Sequence, residues 1–452
     1  MTRPTDSNAR PRRWLLAGAL LALVGLLATA CGADEDQAAV EAADEIAPEH
    51  ELDGVTADTG GTDALQAPSP SSGAAEFGVG DDAPSRTLST EEGDGDIAPE
   101  PVEEIRLRAG SVDDNGQWEA YLLYLQEAQA AGIDSSPLYV EGRRIVRVVT
   151  TDGAPVLDAL IVVVDQEGTE VARVRTHADG SALFFAPALD GDAVDQQQAA
   201  PAYTAIVEKD GVEQQVELGA ELVVQVEMDV APTAAPVLLD VQFLLDATGS
   251  MGDEIERLKA NMISVADQIS SLPGEPDVRF ALTVYRDRDE EYVTRTVDFT
   301  DDVAAFGDEL RAVVADGGGD EPEALNEGLQ AALDETSWRR DAAVRLVFLV
   351  ADAPPHLDYE DGPDYAPALV QAAADGIKIF PVASSGANFQ AELIFRQMAQ
   401  YTSGRFVFLT YGADGVTPGD ETDFNVDDYS VLSLDELIVK LVDDELTALA
   451  GV

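Results

Sequence analysis

The sequence predicts a doubly wound α/β domain at its carboxyl end, preceded by an all-β sandwich and a disordered acidic segment. Three observations carry this. Over 236–452, near-continuous apolar strands such as Val237–Leu245 and Val344–Val350 alternate with helical runs, the pattern of a mostly parallel sheet covered on both faces. Over 137–230 the apolar period shortens to two and Asp-Gly turn dipeptides recur, which signals short strands in hairpins. Residues 31–104 are dominated by Asp, Glu, Ala, Gly, Pro and Ser, with Phe77 as their one aromatic and Arg86 as their one basic residue. Such a stretch buries too little to offset chain entropy, and its like charges extend it.

Composition narrows the function before any motif is read. The chain has 452 residues, 27 basic against 87 acidic, and a net charge of −60. At roughly 100–200 residues per domain, that length allows two or three. The charge opposes nucleic acid and anionic membrane surfaces and favours divalent cations. Cys31 is the only cysteine, so no intramolecular disulfide and no cysteine-based zinc site forms; His50, His177 and His356 are the only histidines.

Residues 1–30 read as an address. Arg10, Arg12 and Arg13 precede an apolar run from Trp14 to Ala28, then Ala30-Cys31-Gly32, the layout of a secretory signal. The run is short of the ~20 residues of a membrane span. A cysteine directly after the cleavage site resembles the lipidated residue of bacterial lipoproteins, although Ala28 stands where a Leu is usual. That resemblance implies lipidation at Cys31 and an extracytoplasmic protein anchored to a bacterial membrane or envelope, with 31–104 as a tether.

The folded elements follow in order. Segment 105–136 is read as one amphipathic helix from Asn115 to Ala131, with Trp118, Tyr121, Leu122, Leu125 and Ala128 at helical spacing and Gly132 as its stop. A helix this short is marginal alone, so its stripe is expected to dock on the next domain. Strands are expected at Ile145–Val149, Leu160–Val164, Val171–Val174, Ala182–Phe185, Tyr203–Glu208 and Leu222–Met228, an antiparallel sandwich. The stretch from Gly153 to Gly180 resembles the transthyretin-like or carboxypeptidase-regulatory family, with an immunoglobulin-like module as the alternative. Asp179 is read as a turn residue and His177 as a solvated loop histidine.

After a linker at 231–236, the α/β region reads strand Val237–Leu245, helix Met251–Ser271, strands Val278–Tyr285 and Tyr292–Phe299, and helices Val303–Val314 and Glu321–Leu333. Strand Val344–Val350, helix Pro367–Ala374, strand Ile377–Val382, helix Phe389–Tyr401, strand Phe406–Leu409 and helix Leu434–Leu449 complete it. In such sheets ligands sit at the carboxyl ends of the strands, near the switch in strand order.

The first central strand runs into Asp246-Ala247-Thr248-Gly249-Ser250-Met251. One carboxylate and two hydroxyls at alternate positions converge as hard oxygen donors, suited to Mg²⁺, Mn²⁺ or Ca²⁺. This motif resembles the metal-ion-dependent adhesion site of von Willebrand factor A (vWA) domains, whose usual form is Asp-x-Ser-x-Ser and whose fold is Rossmann-like. The loop Gly317-Gly318-Gly319-Asp320-Glu321-Pro322-Glu323 and the strand Val347 to Asp352 fit the same family. The resemblance implies a ligand set of Asp246, Thr248 and Ser250, with Asp352 completing it directly or through water. Many members carry Thr where Asp320 stands. Asp320 has two readings, a metal ligand and, with Glu323, a helix capping box; Asp253 and Glu256 form a second such box. His356 is read as a rim residue, Tyr285 to Asp289 as a solvated hairpin end, and Arg339-Arg340 as a surface pair.

The expected function is binding of a protein partner, whose acidic residue completes the coordination of the cation. Two alternatives stand beside it. One is an envelope scaffold in which the metal only stiffens the loops; the other is a metal-assisted hydrolase. The sequence has no Walker loop, no His-Glu-x-x-His helix and no nucleophile elbow, so no enzymatic activity is expected.

Overall fold

The computed structural model describes residues 106–452 except 187–201, 320, 360, 413–416, 427 and 452, and except the side chain of Asp253. The signal, Cys31, the acidic tether and Asp320 lie outside the described residues. Among the described residues, no helix is long and apolar enough to cross a membrane.

The chain enters by a strand that the sequence did not suggest, β1 (Arg108–Val112), followed by α1 (Trp118–Ala131). Gly132 ends α1 in the left-handed region at φ 70°, its N–H bonded to the carbonyls of Ala128 and Gln129, as a C-terminal glycine should. The helix buries Tyr121, Tyr124 and Ala128; Trp118, Leu122 and Leu125 of the expected stripe are partly buried around them.

Seven short strands follow: β2 (Arg143–Thr150), β3 (Leu160–Val164), β4 (Glu170–Arg175), β5 (Ser181–Phe185), β6 (Tyr203–Lys209), β7 (Val212–Leu218) and β8 (Val223–Met228). They form a three-stranded sheet in the order β5-β2-β8 and a four-stranded sheet in the order β4-β3-β6-β7. Both line one cluster that includes Val146, Val148, Ile161, Val163, Phe184, Ala205 and Val226. The pairing is not wholly antiparallel, because β8 returns parallel to β2. At the β6–β7 turn, Asp210 and Gly211 have φ 51° and 80°, the left-handed pair that a tight hairpin requires.

The rest largely alternates strands and helices: β9 (Leu238–Asp246), α2 (Ile255–Ile269), β10 (Asp277–Tyr285), β11 (Thr294–Thr300), α3 (Val303–Arg311), α4 (Leu325–Asp334), β12 (Ala343–Ala351), α5 (Tyr365–Ala374), β13 (Ile377–Ala383), α6 (Phe389–Tyr401), β14 (Phe406–Thr410), a short β15 (Val431–Ser433) and α7 (Leu434–Leu449). The large sheet has the order β11-β10-β9-β12-β13-β14-β1-β15. Its five central strands, β10 to β14 in that order, are mutually parallel. Odd residues of β9 (Leu239, Val241, Phe243, Leu245) pack with α2, α3 and α7. Leu244, with Val347 and Leu349 of β12, packs with α4, α5 and α6 on the other face. At roughly 1.5–3 kcal/mol per fully buried large apolar side chain, this double layer holds the sheet without help from any ion.

Three expectations need correction. The sheet does not begin at residue 236: β1 pairs antiparallel with β14 and β15, so segment 105–136 supplies a strand to the α/β domain. Its sequence hides this because it contains Gly110, where a Cβ would meet the rings of Phe408 and Tyr429 at 2.7 and 2.8 Å. Nor do the two helices with expected capping boxes begin where the sequence suggested. The 3-10 turn Gly249–Asp253 precedes α2, which starts with Glu254 at its cap, and α4 starts with Ala324 at its cap; neither has a side-chain cap bond. Both readings of Asp320, cap and ligand, concern a residue outside the described ones. Lastly, His177 is 6% exposed rather than solvated, and burial beside Lys378 holds its pKa down to about 3.

Two buried ionic knots join the parts. Arg345 reaches Asp158 at 3.0 Å, both at most 4% exposed at the side chain, so the small sheets are tied to β12. Arg396 on α6 binds Asp114 at 2.6 and 3.0 Å and lies 3.8 Å over the ring of Tyr124, tying α1 to the domain. Arg339 is likewise no free surface cation: it pairs with Asp240 and Asp277.

Candidate metal centre

Strand order switches between β9 and β12, since β10 lies on one side of β9 and β12 on the other. Strand β9 ends in a carboxylate, Asp246, and β12 is followed directly by another, Asp352. Asp246 closes β9 at 0% exposure, level in register with Tyr285 of β10. Its Oδ1 accepts from the Thr248 N–H at 2.9 Å and the Thr248 hydroxyl at 2.7 Å, and its Oδ2 accepts from the Tyr285 hydroxyl at 3.1 Å. Thr248 Oγ1 lies 3.1 Å from Ser250 Oγ, and Ser250 donates to Asp352 Oδ1 at 3.1 Å. Asp352 follows β12 directly and is 5% exposed, whereas Ser250 is exposed. One unbroken chain of oxygens therefore runs from the interior to the surface at the switch point, where this class of sheet places ligands.

Of the residues singled out from sequence, the structure brings together Asp246, Thr248, Ser250 and Asp352. Asp320 and Cys31 lie outside the described residues. Neighbouring loops are knitted to the cluster: Gly249 N–H bonds the Gly317 carbonyl at 2.9 Å, and Asp316 N–H bonds the Ala247 carbonyl at 3.1 Å. Gly318, at φ 66°, could not carry a side chain, since a Cβ there would lie 2.8 Å from Glu323 Oε1 and 3.1 Å from Thr248 Cβ. The glycine run is thus what lets this loop lie against Thr248.

The rim is more ordered than the sequence suggested. His356 is 7% exposed and stacks on Tyr359 with ring centroids 3.9 Å apart, and the Arg288 guanidinium lies 3.8 Å from the centroid of the same Tyr359 ring. Arg286 is buried, donating to the Val314 carbonyl at 2.9 Å. Tyr285 was not expected to serve the site. Its signal was positional: it ends β10 as Asp246 ends β9.

Electrostatics at the cluster are unbalanced. Burial pushes the Asp246 carboxyl up to about 6 against the pull of its hydrogen bonds from Thr248 and Tyr285. Burial, then repulsion from Asp246, pushes Asp352 up to about 7. Among the described residues, no lysine or arginine bonds to either carboxylate. Among the described residues, no group of three or more His, Cys, Asp and Glu gathers there as a metal site; the described donor set is two carboxylates and two hydroxyls. Hard oxygens carrying unneutralised buried charge fit a divalent cation such as Mg²⁺, Mn²⁺ or Ca²⁺.

A pH dependence follows. Both carboxyls hold protons in the folded state that they release in the unfolded state, where the reference value is 3.8. Between about pH 4 and pH 7 the folded chain therefore binds more protons, so these two groups make metal-free stability fall as pH rises through that window. A divalent cation, which requires the deprotonated pair, should flatten or reverse the trend. Chemical denaturation at pH 5 and pH 8, with chelator and with MgCl₂, measures this; identical pH profiles under both conditions would contradict it.

Comparison with known proteins bears on the same region. The family model described as "von Willebrand factor A domain" matches residues 240–363, which include Asp246, Thr248, Ser250 and Asp352. The chain is similar to von Willebrand factor A domain-containing protein 7 of Homo sapiens, 34% identical over 128 residues, or 28% of this chain and 13% of that protein. It is also similar to Alpha-protein kinase vwkA of Dictyostelium discoideum, 29% identical over 119 residues, or 26% of this chain and 19% of that one. The match thus spans 13% to 19% of the length of these relatives. Among solved structures, proximal thread matrix protein 1 from the mussel byssus, with a zinc-occupied MIDAS motif, aligns at 17% identity and TM-score 0.30, covering 36% of this chain and 40% of that one.

Proposed function

We propose that the von Willebrand factor A domain carried by this chain holds one divalent cation on Asp246, Thr248, Ser250 and Asp352, and through it binds an acidic residue of a protein partner. The observation that carries the reading is the oxygen chain itself, rising from buried Asp246 to exposed Ser250 at the strand-order switch. Asp246 and Thr248 are held by the strand end and by Tyr285. Ser250 and Asp352 sit on the outer side, and Asp320, in the glycine-rich loop where many family members carry a Thr ligand, is a candidate further ligand. When bound, the cation supplies an open coordination position for a carboxylate. Mg²⁺ is the ion we favour, with Ca²⁺ and Mn²⁺ served by the same donors.

The reading is of a binding protein, not an enzyme. It rests on the sequence, which has no Walker loop, no His-Glu-x-x-His helix and no nucleophile elbow. The amino-terminal motif supports export and lipid anchoring at Cys31 to a bacterial membrane or envelope, with 31–104 as an acidic tether. Cys31→Ala is expected to move the protein from the membrane fraction to the soluble one; a variant that stays membrane-bound would remove the lipid anchor from the account.

A pull-down tests the binding claim. Immobilised full chain should retain a partner from envelope extract in MgCl₂ and lose it with chelator, and Asp246→Ala should not retain it in either buffer. Equal retention by Asp246→Ala would show that the partner does not use the metal. A scaffold with a purely stabilising ion predicts metal binding and no chelator-sensitive partner.

A further inference from the structure

Beside the oxygen cluster, a cavity of about 650 Å³ opens between the loop after β13 and the loop after β14. That is within the ~300–1,000 Å³ range of ligand pockets. Its floor includes Ser384, which is 1% exposed and whose Oγ has no hydrogen-bond partner. A buried hydroxyl left without a partner is costly unless something arrives to meet it. The Ser384 N–H bonds the Ala351 carbonyl at 2.9 Å, which puts this floor one strand away from Asp352, and neighbouring strands are about 4.8 Å apart.

The walls are acidic and aromatic. Glu392, Glu421 and Asp423 line the cavity, and among the described residues no lysine or arginine does. Glu392 is already matched by Arg396 and Asn425. Glu421 and Asp423 are exposed, and among the described residues neither pairs with a cation. Glu254 adds charge from behind, accepting from the hydroxyls of Ser385 and Tyr411, both of which face the cavity. Phe389, Tyr411 and Phe424 supply aromatic surface, on which a methylene stem can pack and over which a cation is attracted.

We propose that this cavity is a second subsite for the same partner and takes a lysine or arginine side chain. The claim that both contacts serve one partner rests on the metal-dependent reading above; cation binding in the cavity does not. An elongated side chain with an apolar stem and a cationic head matches the aromatic walls and the two unpaired carboxylates, and a donor N–H can reach Ser384 Oγ. It also resolves a charge difficulty. A chain of net charge −60 repels a purely acidic partner, whereas one that presents a basic residue close to its coordinating acid is attracted on both counts.

The probe is Nα-acetyl-arginine amide, which carries one positive charge and capped ends, with Nα-acetyl-glutamine amide as the uncharged control. Ligand-observed NMR or calorimetry on the full chain, in chelator, should detect the arginine compound and not the glutamine one. Glu421→Gln with Asp423→Asn, both exposed positions, should weaken binding roughly tenfold, a change of about 1.4 kcal/mol. Ser384→Val should weaken it as well. Binding that is equal for both compounds, or untouched by the double variant, would overturn the subsite. Asp246→Ala separates the two readings. Loss of Mg²⁺ binding with retained arginine binding confirms that the cavity acts independently of the ion. Intact Mg²⁺ binding in the wild type without arginine binding would sink the subsite and leave the metal site standing.

Discussion

Asp246→Asn is expected to make the metal-free protein more stable at pH 8 and to abolish its stabilisation by Mg²⁺. Asp246 is fully buried, and its carboxyl is pushed from 3.8 to about 6. At pH 8 it is ionised in both states, and holding that charge in the fold costs about (6 − 3.8) × 1.36, or about 3 kcal/mol. An amide removes the charge and keeps an oxygen that can accept from Thr248. Imperfect pairing with the Tyr285 hydroxyl reduces the gain, so a rise of about 1–3 kcal/mol is expected. The wild type, in contrast, should gain about 2.7 kcal/mol when Mg²⁺ stands at a hundred times its dissociation constant, and the variant nothing. Thermal unfolding of both proteins in chelator and in MgCl₂ reads out all four states. A wild type indifferent to Mg²⁺, or a variant that responds as strongly, would contradict the assignment.

Arg396→Ala should be the most damaging single change away from the site. Its guanidinium makes two bonds to Asp114, reaches Glu392 at 3.4 Å, and donates to the Asn425 carbonyl at 2.9 Å. The Arg396 and Asp114 side chains are 5% and 2% exposed. Burial already raises the Asp114 and Glu392 carboxyls against the pull of Arg396. Removing the cation strands two buried carboxylates, a loss of about 3–5 kcal/mol. Since Asp114 lies between β1 and α1, those elements should loosen first. Amide exchange should therefore rise in 108–131 before it rises in β9 or β12, and uniform loss of protection would show that the knot is not what holds the amino-terminal elements.

The central strands were legible because burial on both faces leaves continuous apolar runs: β9, β12 and β13 each appear in the sequence within a residue or two of their observed ends. The strands β1, β7 and the short β15 were not. In β7 the sequence Val-Glu-Gln-Gln-Val-Glu-Leu is polar because the strand sits at the edge of its sheet, where exposed charge guards against further pairing. In β1 small residues make room for rings from β14 and the loop beyond it, so the apolar signal lies on Phe408 and Tyr429 and not on the strand. A fragment cut at residue 236 would consequently expose β14 and β15. At the site, alternate oxygen donors on one loop were readable from spacing alone. The meeting of Ser250 with Asp352, a sequence separation of 102, was carried by family resemblance and not by local pattern. Tyr285 and the cavity at Ser384 depend on strand register, which no local spacing reveals.

Isothermal titration calorimetry of Mg²⁺ into the full chain tests the central claim most directly. A single site is expected, with proton release near pH 7 because the Asp352 carboxyl sits at about 7 before the ion arrives. The apparent enthalpy should therefore change with the ionisation enthalpy of the buffer, and Asp246→Ala should show no binding. Binding by Asp246→Ala as tight as that of the wild type, or no binding by the wild type, would contradict the account.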